Sequence, residues 1–158
     1  MIARRLALCF TAALWLWSAP VNSAPETVSI TIPAAVGFAV TNVSTTTAGS
    51  PASGTLLFAA LNTTGSHVLR ISVKADSNFI PPSGPAIPAS RVSWTTSSAL
   101  NGVGSHGSLS TSAYGQVFQS TNGKKNGSVN ISWSLAAPGT PIRAGVHTLT
   151  VRWKLEAF

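Results

Sequence analysis

The sequence predicts an all-β chain: an antiparallel immunoglobulin-like β-sandwich of about eight strands, preceded by a cleaved N-terminal signal helix. Three observations carry this reading. Beyond residue 26 the apolar side chains recur at every second position, the period of a strand with one buried face. Clusters of Gly, Pro, Asn and Ser interrupt that alternation at the spacing of one strand and a turn. The first two dozen residues follow a different rule, with two positive charges and then a short, unbroken apolar run.

That opening segment, "MIARRLALCFTAALWLWSAPVNSAPE", has the layout of a secretory signal peptide. Arg4 and Arg5 form the positive start, Leu6 to Trp17 the apolar centre, and small residues gather around Ser23 and Ala24. The apolar run is too short to cross a bilayer comfortably, so no membrane span is expected in the mature protein. Cleavage after Ser23 suits the small-residue preference, whereas cleavage after Ala24 would set Pro25 directly behind the scissile bond. Residues 1–23 are therefore read as the signal peptide and residues 24–158 as one β-sandwich domain. Processing removes Cys9, the only cysteine, together with Trp15 and Trp17. The remaining domain is long enough for one core but has no disulfide to hold it, so packing and sheet hydrogen bonds must do so.

The strands follow in order. "TVSITI" (Thr27–Ile32) turns Val28, Ile30 and Ile32 to one face, and after Pro33 "VGFAVTN" does the same with Val36, Phe38 and Val40. "TLLFAAL" (Thr55–Leu61) is apolar throughout, which leaves its facing open. "HVLRISVKA" (His67–Ala75) places Leu69, Ile71 and Val73 inward, with Arg70, Ser72 and Lys74 outward. "NFIPPSGPAIPAS" (Asn78–Ser90) contains four prolines and reads as a long crossing connection, because proline cannot donate to a central ladder. "RVSWTT" is a short strand with Val92 and Trp94 on one side, "NGVGSHGSLS" a glycine-rich loop, and "SAYGQVFQS" the strand it leads into. Two longer strands end the chain, carrying Val129, Ile131, Trp133 and Leu135, then Leu149, Val151, Trp153 and Leu155, in phase. Trp133 and Trp153 are expected in the core on neighbouring strands, since an aromatic in phase with an apolar face is most often buried.

Chemistry is sparse. The mature chain has three carboxylates, Glu26, Asp76 and Glu156, of which only Asp76 is internal. A glycosidase needs two carboxyl groups facing one bond, and a serine hydrolase needs Ser, His and acid in contact; neither pattern is spelled here. His67, His106 and His147 are far apart and lack an acidic or thiol neighbour, so no metal site, catalytic residue or cofactor is expected. Loss of Arg4 and Arg5 leaves eight Lys and Arg against three acids, a thinly spread +5 with one adjacent pair, Lys124-Lys125. Nucleic-acid binding would want a basic stripe interleaved with aromatics, and none is present. Ligand binding falls to the aromatics least bound by the alternation, Trp94 and Tyr114, which could stack a sugar ring.

At "NISWSL" (Asn130–Leu135) and "HTLTVRWKLEAF" (His147–Phe158) the chain resembles the paired Trp-x-Leu motifs of WxL-domain proteins. That resemblance implies a β-rich module at a bacterial surface whose tryptophans attach it to the cell wall. "IRAGVHTLTVRW" is also similar to the entry into the last strand of bacterial pilin-like and spore-coat-type secreted sandwiches, which implies assembly between subunits through strands. The function expected is thus that of an exported, non-enzymatic structural or adhesive protein, secreted or at the cell surface. Its expected partner is cell-wall polysaccharide, or a neighbouring subunit met through an edge strand such as "TVSITI". The alternatives are a carbohydrate- or cell-wall-binding module and, more remotely, a secreted hydrolase.

Overall fold

The computed structural model describes residues 27–33, 35–62, 67–79 and 84–158; the expected signal peptide and Glu26 lie outside them. The described chain is all β. Twelve strands occur among these residues, and every pairing is antiparallel. They are β1 (Thr27–Thr31), β2 (Phe38–Val40), β3 (Thr47–Ala48), β4 (Gly54–Asn62), β5 (Leu69–Ala75), β6 (Val92–Leu100), β7 (Gly102–Gly104), β8 (Gly107–Ser108), β9 (Gly115–Ser120), β10 (Asn126–Leu135), β11 (Gly145–His147) and β12 (Val151–Ala157). The larger sheet runs β1-β4-β10-β6-β8, with β3 continuing beside β10. A second sheet runs β12-β5-β9-β7, and β11 pairs with β2 as a separate ribbon.

The core is shared by the two larger sheets. Strand β10 is the clearest case of alternation at work: Val129, Ile131, Trp133 and Leu135 are all buried, with half-buried Ser and Asn between them. Ile131, Trp133 and Leu135 share a cluster with Val73, Ala75 and Val117 from the opposite sheet, and a second cluster joins Val129, Leu56 and Phe58 to Leu69, Ile71 and Phe118. Each such aliphatic side chain withdrawn from water contributes about 1.5–3 kcal/mol before chain entropy is set against it. The ambiguous run at 55–61 resolves in the same way, with Leu56 and Phe58 inward and Leu57 in solvent.

Three expectations change. The short strand at Val92 continues to Leu100, and the glycine-rich segment after it forms β7 and β8 rather than a plain loop. In β9 the alternation breaks, because a register shift against β5 lets both Val117 and Phe118 enter the core. The proline-rich connection forms no strand among its described residues, as its prolines imply, and adds Phe79 and Ile87 to the core, joined by a 3.0 Å hydrogen bond from the Phe79 N–H to the Ile87 carbonyl. Finally, Trp133 and Trp153 do not sit on neighbouring strands. Strand β10 belongs to the larger sheet and β12 to the smaller one, so the two rings meet across the core.

Candidate functional site

The tryptophans form one file. Trp94 and Trp133 are cross-strand partners on β6 and β10, their ring centroids 5.9 Å apart and tilted by 57°. Trp133 then meets Trp153 edge to face at 6.3 Å. Such aromatic pairs add about 0.5–1.5 kcal/mol each beyond the area they bury. Trp94 is 2% exposed and its indole N–H donates to the Ser105 carbonyl at 2.9 Å. This ring offers no face to solvent, so the sugar-stacking role expected of Trp94 has no geometry to act through. Its burial depends on two glycines: a Cβ at Gly107 or at Gly115 would lie 2.5 Å from the indole carbons. Only a residue without a side chain lets β8 and β9 close over the ring.

Trp153 is half-buried and stands at the rim of an apolar cleft of about 390 Å³. Ile32, Val36, Phe38, Trp133 and Leu149 complete much of its wall, and no charged side chain lines it. The cleft opens between the end of β1 and β12, the outer strands of the two sheets on this side.

Tyr114 is placed quite differently. It is exposed beside the outward face of β5 and β12, where the Lys74 and Lys154 ammonium groups lie 5.1 and 5.6 Å from its ring centroid. The Trp94 and Tyr114 candidates are thus not brought together. One is interior and the other lies on a cationic surface. On that surface Arg152 pairs with Asp76, whose hydrogen bond and then charge raise the guanidinium pKa further. Lys154 bonds Glu156 at 2.7 Å and, chiefly through that bond, holds its carboxyl below the ordinary range, against the opposing effect of burial. The Arg70 guanidinium lies 4.6 Å from the Phe158 ring centroid. The sequence did carry a signal for this face, since Arg70 and Lys74, and Arg152 and Lys154, share the outward phase of their strands; the adjacency of those strands was not legible.

The remaining polar groups have local roles. The Thr96 amide donates to His106 Nδ1 at 3.2 Å, and His147 Nε2 contacts the Arg143 carbonyl at 3.1 Å with the ring buried against Phe79. No group of three or more His, Cys, Asp or Glu side chains able to hold a metal occurs among the described residues. No helix among them is long and apolar enough to cross a membrane. No protein-family model, curated protein or solved structure matches the chain.

Proposed function

We propose that the chain is an exported, non-enzymatic structural or adhesive domain of the cell surface or its surroundings, with an immunoglobulin-like β-sandwich architecture. The observation that carries this reading is how the tryptophans are used. Trp94 and Trp133 are spent on the core between the sheets, and Trp153 is half-buried against them. A module that reads sugars through tryptophan would instead hold a strip of rings open to solvent, next to a few convergent polar groups. Two sheets that end in the edge strands β1 and β12 on one side, each paired along one edge only among the described residues, suit a protein that meets neighbours over extended surfaces. The leader-like residues 1–23 supply the export half of the reading.

The test is expression in a bacterium with the natural N-terminus, followed by fractionation and intact mass. The reading predicts protein recovered outside the cytoplasm, shortened to begin at Ala24. Unprocessed chain retained in the cytosol overturns it. The carbohydrate-binding alternative keeps one supporting observation, the exposed Tyr114.

A further inference from the structure

We infer that the outward face of β12, β5 and β9, centred on Tyr114, binds an acidic polysaccharide. Alternation sends Arg70 and Lys74 of β5 and Arg152 and Lys154 of β12 to this face, and the register sets Arg152 directly opposite Lys74. Like charges opposed across an antiparallel pair destabilise a sheet, so this arrangement is not one that folding alone favours. Asp76 offsets Arg152 and Glu156 offsets Lys154. Glu156 also stands directly opposite Arg70 and feels its charge, so four cations meet two carboxylates and the face keeps an excess of positive charge; Lys74 is in no ion pair among the described residues. Tyr114 gathers the Lys74 and Lys154 ammonium groups against its ring, which concentrates that excess in one place.

The shape selects the ligand class. Arg70 and Lys74 are four residues apart on a strand, so their row is about 13 Å long, and the neighbouring strands widen it by about 4.8 Å each. That extent fits a chain of charges better than a single anion. Gln116 and Gln119 of β9 stand beside β5; the Gln116 amide N–H donates to Ser105 Oγ at 3.3 Å and the Gln119 amide oxygen accepts from Arg70 at 3.4 Å, which leaves the Gln116 oxygen and the Gln119 N–H groups to bond hydroxyls. A lipid surface would ask for several large apolar side chains to insert together; the exposed Leu57 and Leu100 belong to the other sheet, and on this one the exposed Val103 stands beside Gln119 while Phe158 is covered by the Arg70 guanidinium. Single-stranded nucleic acid would ask for a row of open rings, whereas Tyr114 and Phe158 are each engaged by cations. A flexible, hydroxyl-rich polyanion meets this combination of cations in a row and neighbouring amides, and polygalacturonate serves as its probe.

The proposal rests on the exported reading only for where such a partner is met; binding is measured on purified protein, so its failure leaves the fractionation result standing. Retention is measured on immobilised polygalacturonate, cellulose and double-stranded DNA at about 0.15 M salt, where exposed charges are substantially screened. The wild-type protein is expected to bind polygalacturonate and not cellulose. Lys74→Gln/Lys154→Gln should weaken that binding about tenfold, the effect of two screened ion pairs. Lys124→Gln/Lys125→Gln, which removes the same charge from a turn elsewhere, should leave it unchanged. Tyr114→Phe, which keeps the ring, should bind as wild type. Unchanged tryptophan emission in each variant establishes that the fold is intact. The proposal is overturned if the wild-type protein is not retained, if the two double variants weaken equally, or if DNA is held as tightly as polygalacturonate.

Discussion

At the scale of single residues, the interior is governed by how three indoles share one space. Trp133 touches both of the others, so removing it opens the centre of the file. Trp133→Ala should lower stability by about 3–5 kcal/mol in a denaturant melt, the range for deleting a buried aromatic. Gly115→Ala tests the slot from the other side. Its added methyl meets the Trp94 ring at 2.5 Å, and overpacking of this kind costs about 1–3 kcal/mol. A melt unchanged by Gly115→Ala would mean that the ring does not occupy that slot. The burial of Trp133 was legible from its phase with Ile131 and Leu135. That of Trp94 was signalled only by its phase with Val92 on a short strand, because the glycines that make room for it lie 13 and 21 residues away in sequence and reach it only through sheet pairing.

Among the elements, position within a sheet sets local stability. Strand β10 is bonded on both sides, by β4 and β6, and β5 lies between β12 and β9, whereas β1 and β12 each have one neighbour. Amide hydrogen exchange should therefore be slowest in β10 and β5 and fastest in β1, with β12 between because its inner side chains still lean on the core. Equal protection in β1 and β10 would contradict the strand order. Strand β12 also carries Glu156, whose carboxyl is held low in the folded state. A carboxyl with a folded pKa below its unfolded one contributes stability that is full above the unfolded value and is lost as pH falls through the folded one. Glu156→Gln should thus make the fall in melting temperature between about pH 6 and pH 2 slightly shallower, the effect being small because the pair is exposed. The long alternating strands were legible element by element. The bulge in β9 and the short pairs β7 and β8 were not, since glycine-rich sequence specifies permissive backbone without saying where it will pair.

For the whole molecule, the all-β class followed from period-two alternation, while the pairing of distant strands into two sheets did not. That limit shaped the functional reading. Two Trp-x-Leu segments that look like neighbours in sequence supply facing walls of a core, and the exposed aromatic lies instead on a charged face assembled from β5 and β12. The central claim is that the tryptophans hold the fold and that recognition happens elsewhere. The most direct measurement is acrylamide quenching of tryptophan emission in the chain from Ala24 to Phe158, which holds Trp94, Trp133 and Trp153, before and after addition of insoluble peptidoglycan, cellulose and polygalacturonate. The account predicts blue-shifted, poorly quenched emission that no polysaccharide alters, even where the protein is retained. Accessible emission that becomes protected on one of them would contradict it and return the tryptophans to the binding surface.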